Sequence, residues 1–197
     1  MEASSISRYS KAVEYATIAH ARQVRKSTGG PMIVHPYSVS MILLHHGYPI
    51  DLAIAGLLHD VVEDCKGYTI VDIEKEFGKD VANYVLNVTE VDKSLSWKQR
   101  KDAYIEHIKY ADEYSRALCA ADKIHNLLSL YTDMKEQGLS IFDKFNATQD
   151  ETVWYYRTVC YAITKDGTEP APIFKEYEKI LNLFLDELCE KLLNLNE

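Results

Sequence analysis

Apolar positions along this chain recur at helical spacing, with few breakers and no sustained alternation, which predicts an all-α domain. A first helix is expected around Val13, Ala16, Ile18 and Ala19, running on through "ARQV" and stopped by the "STGGP" of residues 27–31. The next, "HPYSVSMILLHHG", carries Pro36 near its start and Gly47 at its end, the usual asymmetry of helix termini. Asp51 is expected to cap one continuous helix over "LAIAGLLHDVVEDC", ended by Gly67. Thr69 followed by Asp72 offers an acidic variant of a capping box for "TIVDIEKEF".

The pattern continues through "KDVANYVLNVTEV" and "WKQRKDAYIEHIKYA" into "EYSRALCAADKIHNLLSLY", which reads as long and largely buried. "TDMKEQGLSIFDKFNATQD" is polar with scattered aromatics and is expected to be a surface loop or a pair of short turns. Two helices close the chain, around "ETVWYYRTVCYAI" and over "IFKEYEKILNLFLDELCEKLL". The last aligns Ile173, Tyr177, Ile180, Phe184 and Leu188 on one face. The whole is a bundle of roughly eight to ten helices with no repeat, linker or low-complexity tract.

One stretch breaks the apolar logic. "HDVVED", residues 59–64, sets an imidazole and three carboxylates in the otherwise core-like "IAGLLHDVVEDC". Burying unpaired charge costs several kcal/mol, so something positive is expected among these groups. On a continuous helix His59 would stack over Glu63 and Asp60 over Asp64. More ligands than two adjacent residues are needed to hold a metal. His35 in "IVHPYSV" and Asp122 in "ALCAADKIHNLL" are the polar groups that stand in apolar helical context elsewhere. Alone, His35 could serve a helix start and Asp122 could pair with Lys123. Together with His59 and Asp60 they make a mixed nitrogen and oxygen set suited to a first-row divalent ion such as manganese, iron or zinc. Such an ion lowers the pKa of its water from 15.7 toward ~7 and polarises phosphoryl oxygens, with Glu63 and Asp64 beside it to orient water or move protons.

Composition narrows the partners. The 197 residues, 47% hydrophobic, suit one domain over 1–197 with a full core. A net charge of -8 argues against a nucleic-acid polymer, while a metal and a few local cations could still receive a small phosphorylated ligand. Cys65, Cys119, Cys160 and Cys189 form no paired spacing and are expected to be buried thiols. No stretch resembles a signal peptide or reaches the ~20 apolar residues of a membrane span, so a cytoplasmic protein without a membrane partner is expected. His45, His46 and His107 read as surface or helix-end residues, and His20 and His125 as packing groups. "WYYR", residues 154–157, reads as core, with Tyr155 or Tyr156 available to wall a pocket.

The order His35, His59-Asp60, Asp122 resembles the HD superfamily of metal-dependent phosphohydrolases. With "HARQVRKSTGGPMIVHP" upstream and "ADKIHNLLSL" downstream, the chain is most similar to RelA/SpoT-type hydrolase domains and free-standing small alarmone hydrolases, from about Tyr9 to Leu130. The resemblance implies a manganese ion on His35, His59, Asp60 and Asp122, and removal of pyrophosphate from the ribose 3′ position of guanosine tetra- or pentaphosphate. It implies catalytic roles for Glu63 and Asp64, and substrate contacts from Arg25, Lys26, Asn126 and Ser129. Asn126 stands one helical turn after Asp122, on the same face. Arg25 and Lys26 precede a Gly-rich turn and could meet a phosphate or a purine, or simply end a solvated helix. The chain departs from the family at Met32, Cys65 and Leu128, often Tyr, Thr and Arg, and none of these is a metal ligand. Two other readings stay open: an HD-type hydrolase of another nucleotide, such as a 5′-monophosphate, and a non-hydrolysing alarmone sensor.

Overall fold

In the computed structural model, residues 3–90, 93–164 and 170–194 are described. They form ten α-helices: α1 Ala3–Ala19, α2 Val34–His45, α3 Ile50–Leu58, α4 Val61–Asp64, α5 Ile70–Phe77, α6 Lys79–Val88, α7 Trp97–Lys109, α8 Glu113–Gln137, α9 Gln149–Thr164 and α10 Pro172–Leu193. A 3-10 helix, Gly138–Lys144, follows α8. The described residues contain no strand, only an isolated antiparallel bridge between Val24 and Pro31.

Two helices organise the core. In α3 every residue from Leu52 to Leu58 is buried, because α1, α2, α6 and α8 all pack around it. The long α8 crosses the bundle, contacting α2, α3, α6, α7, α9 and α10. Along α10, Ile173, Tyr177, Phe184 and Leu188 are buried with Phe174 and Leu181, and Ile180 packs against the same cluster. The Tyr177 hydroxyl donates to the Tyr156 carbonyl at 2.9 Å, so its one polar atom is satisfied inside the core. Thr69 and Asp72 form the expected capping box at α5, and Ser96 with Gln99 forms another at α7.

Five local expectations are corrected. The first helix ends at Ala19, before "ARQV". His20, 1% exposed, instead bonds Gln23, which donates to the Asp64 carbonyl at 2.8 Å, and this tertiary anchor overrides helix propensity. Asp51 lies inside the first turn of α3, paired with Arg8 at 2.7 Å, while Pro49 occupies the N-cap. The stretch from residue 50 to 64 is two helices with His59 and Asp60 at the joint. The expected loop from residue 132 begins as the end of α8 and continues into the 3-10 helix, whose Ile141 and Phe142 are buried. Among the cysteines, Cys189 is exposed and the other three are buried.

Candidate metal centre and adjoining cleft

The joint between α3 and α4 aims the His-Asp pair. A continuous helix would turn His59 and Asp60 about 100° apart around the axis. At the joint both residues keep right-handed helical backbone angles, and their side chains meet. His59 Nε2 lies 3.2 Å from Asp60 Oδ1, and His35 Nε2, from α2, lies 3.5 Å from Asp60 Oδ2. Asp122, from α8, brings its Oδ1 to 3.1 Å from His35 Nε2 and 3.8 Å from His59 Nε2. One donor atom from each of His35, His59 and Asp60 falls within 4.8 Å of the others.

Protonation decides what this cluster can hold. The Gly56 carbonyl can only accept, so His59 donates to it from Nδ1 at 2.8 Å. In the neutral imidazole this leaves Nε2 as a bare lone pair, buried and without a hydrogen-bond partner. That lone pair faces carboxylate oxygens, an arrangement that is repulsive until a cation sits among them. Burial pushes the His35 imidazole below its ordinary pKa despite Asp122 and Asp60 beside it, which keeps it a neutral ligand. Burial alone would raise the Asp122 carboxyl, but the Lys123 ammonium against it holds it well below the usual range. A divalent ion fits this donor set of two imidazoles and two carboxylates.

Asn126 joins the cluster to a cleft of about 700 Å³, which it lines while donating to Asp122 Oδ1 at 2.6 Å. The cleft is also lined by Glu63, Asp64, Arg25, Lys26 and Ser129, so all ten residues singled out in the sequence meet in one region. Arg25 and Lys26 do not end a helix. They sit in a tight hairpin, where Arg25 N–H donates to the Gly30 carbonyl and Gly29 N–H to the Arg25 carbonyl, each at 2.8 Å. Gly29 supplies the positive φ of 72° that closes this turn. Gln23 ties the hairpin to α4 through the Asp64 carbonyl, so cations and carboxylates are held to one another.

The profile of the HD domain family matches residues 12–153. The chain belongs to the HD domain family.

Curated relatives of this HD domain include guanosine-3′,5′-bis(diphosphate) 3′-pyrophosphohydrolase MESH1 of Xenopus tropicalis, 40% identical over 61% of this chain and 68% of that protein. The bifunctional (p)ppGpp synthase/hydrolase SpoT of Escherichia coli is 36% identical over 64% of this chain and 18% of that protein. Among solved structures, a metazoan ortholog of SpoT that hydrolyses ppGpp superposes with a TM-score of 0.73 at 29% identity, covering 89% of this chain and 94% of that one.

Several cleft residues of the HD domain carry no signal in the sequence. Glu90 donates its backbone N–H to Glu63 Oε2 at 3.2 Å while its carboxylate takes Arg100 at 3.0 Å and Lys101. Lys93 donates to the Glu63 carbonyl at 2.7 Å and to Asp64 Oδ1 at 3.4 Å. Burial, and then the carboxylates of Glu90, Asp60 and Asp64, raise the Glu63 pKa against the lowering effect of the Glu90 amide. Only the run of charges in "WKQRK" and the Glu90-Lys93 spacing could have flagged these groups, and both patterns are common on solvated helices. Tyr155 and Tyr156 both wall the cleft, and Met32 lines it. Leu128 faces a smaller neighbouring cavity with His125.

Proposed function

We propose that this protein is a (p)ppGpp 3′-pyrophosphohydrolase that uses a divalent ion, manganese by preference, on His35, His59, Asp60 and Asp122. The observation that carries this reading is the unpartnered His59 Nε2, turned toward two carboxylates and a second imidazole beside a cleft walled by cations. The names of the relatives supply the substrate class.

When bound, the ion acidifies water and withdraws charge from a phosphoryl oxygen. The chain's own groups do the rest. Glu63, partly buried and with raised proton affinity, takes a proton from the attacking water and returns one to the ribose 3′-oxygen. Asp64, half exposed and beside Lys93, orients that water. Water adds to the phosphorus on O3′, the P–O3′ bond breaks, and guanosine tetraphosphate yields GDP and pyrophosphate. Asn126 and Ser129 contact the nucleoside, and Arg25 and Lys26 offset phosphate charge. The acidic net charge of -8 speaks for a small nucleotide over a polymer, and the substrate class for action in the cytoplasm.

The test is incubation of metal-stripped protein with guanosine tetraphosphate, with and without manganese, and chromatographic identification of products. GDP and pyrophosphate appearing only with manganese is the expected result. A metal-loaded protein that leaves the tetraphosphate intact but cleaves another nucleotide would overturn the substrate assignment.

A further inference from the structure

One wall of the cleft carries cations that take no part in that hydrolysis. On α7, Arg100 and Lys101 line it beside Trp97. From α8, the buried Lys123 approaches the same place. Lys101 Nζ lies 4.6 Å from the centre of the Tyr155 ring and Lys123 Nζ 5.3 Å from it, so two ammonium groups share one aromatic neighbour.

Among the described residues, the carboxylates in contact with these three cations are Glu90, which takes Arg100 and Lys101, and Asp122, which takes Lys123 at 2.5 Å. Asp122 is also one of the four convergent ligands, so its charge is shared. Glu63 acts on Lys101 from further off. Arg100 Nε is buried with no hydrogen-bond partner. Burial first, and then the nearby Lys123, lower the Lys101 pKa against the raising effect of Glu90 and Glu63. Partly buried cations in excess of their carboxylates are costly unless an anion arrives to join them.

We propose that Arg100 and Lys101, backed by Lys123, form the subsite for the terminal phosphate of the departing pyrophosphate. This rests on the (p)ppGpp reading and deepens it. Asn126 and Ser129 follow Asp122 by one and two turns of α8, and Arg25 lines both cavities beside Ser129. A nucleoside held there, with its 3′-phosphorus at the ligand cluster, directs its outer phosphate away from Asn126 and toward α7. The 5′-phosphates then fall to Arg25 and Lys26. In the free protein the Glu90 carboxylate occupies the place of that phosphate, and the outgoing anion takes over its two cation contacts.

The experiment is calorimetric titration of inorganic pyrophosphate, and separately of GDP, into the metal-loaded full chain and its variants. Lys101→Met and Arg100→Gln should each weaken pyrophosphate about tenfold or more, the size of one lost charge-assisted contact, and leave GDP unchanged. Equal pyrophosphate affinity in wild type and Lys101→Met, or equal weakening of both ligands, overturns the subsite. If Lys101→Met fails to fold, Glu90→Gln decides. Removing the resident counter-ion must tighten pyrophosphate, and weaker binding overturns the proposal. Because titration needs no turnover, the two readings separate. Lys101-dependent pyrophosphate binding without tetraphosphate cleavage removes the substrate assignment alone, and cleavage without that dependence removes the subsite alone.

Discussion

His35 Nδ1 lies 2.7 Å from His125 Nδ1, a contact that requires one proton between two ring nitrogens. It fixes the plane of the His35 ring, whose other nitrogen faces Asp60 and Asp122. Burial, helped by His35 and Arg25, pushes His125 down to about 4, so it stays neutral near pH 7 and able to accept. With a metal on Nε2, the proton belongs on His35 Nδ1 and His125 is the acceptor that holds it there. His125 is therefore a positioning residue, and partners of this kind are worth ~10- to 100-fold in metal affinity. His125→Phe should weaken manganese binding by about that factor, with His125→Gln, which keeps a polar partner, in between. Chelator competition followed by the manganese spin signal measures it, and unchanged affinity in His125→Phe would show that the contact orients nothing.

Metal binding should also appear as stability. A ligand at ~100 times its dissociation constant adds about 2.7 kcal/mol to the folded state, which for a chain of this length raises Tm by roughly 5–10 °C. Asp60→Ala should fold, because the ligand cluster without its cation is repulsive and contributes little to the fold. Its melting curve should not respond to manganese, and its hydrolase activity should be absent. A full manganese shift in Asp60→Ala would remove Asp60 from the ligand set.

Glu63 gives a prediction with a definite sign in pH. Its carboxyl is raised by burial first and then by Glu90, Asp60 and Asp64. A base works ionised, so turnover should fall as pH drops through that raised value, on an acid limb above the ordinary glutamate range. Glu63→Gln should lower kcat by ~10²- to 10⁴-fold, leave manganese affinity unchanged and abolish that limb. A limb that persists in the residual activity of Glu63→Gln would assign the proton transfer to another group.

Helix identity was legible because burial and periodicity agree over most of the chain, as in α10, where the stripe read from the sequence is the stripe that packs. Helix ends were less so. Nothing in "LLHDVVEDC" marks the joint at His59 and Asp60, since no Gly or Pro interrupts it. That break falls where α2 and α8 pack against α3, a tertiary setting that the local sequence does not display. The early end of α1 has the same origin, in the reach of Gln23 to α4 across 41 positions of sequence. The clustering of His35, His59, Asp60 and Asp122 was legible because polar residues in apolar context are rare, whereas Glu90, Lys93, Arg100 and Lys101 stand in charged segments where such residues are common. Their meaning lies in being brought to one cleft.

The close approach of α2 and α3 links packing to the site. A methyl group at Gly56 would stand 3.0 Å from Leu43 Cδ1, 3.1 Å from Ser40 Cα and 3.2 Å from Ser40 N. Two of those neighbours are backbone and cannot turn away, so Gly56→Ala must push the helices apart. The cost of such overpacking is typically ~1–3 kcal/mol. The same two helices carry His35 and lead into His59, and the Gly56 carbonyl receives the His59 Nδ1 proton. A shift of a few tenths of an ångström there disturbs both the distance between the imidazoles and the bond that leaves His59 Nε2 bare. Gly56→Ala should therefore lower Tm in chelator and weaken manganese binding as well, although it touches no metal ligand. Gly47→Ala supplies the control: at φ 77° it is strained in its own turn, with nothing within 4 Å of the added methyl, and should cost stability without changing metal affinity. Calorimetric unfolding and manganese titration on both variants make the comparison. If Gly56→Ala lost stability but bound manganese as tightly as wild type, the α2–α3 contact would be a feature of the core alone.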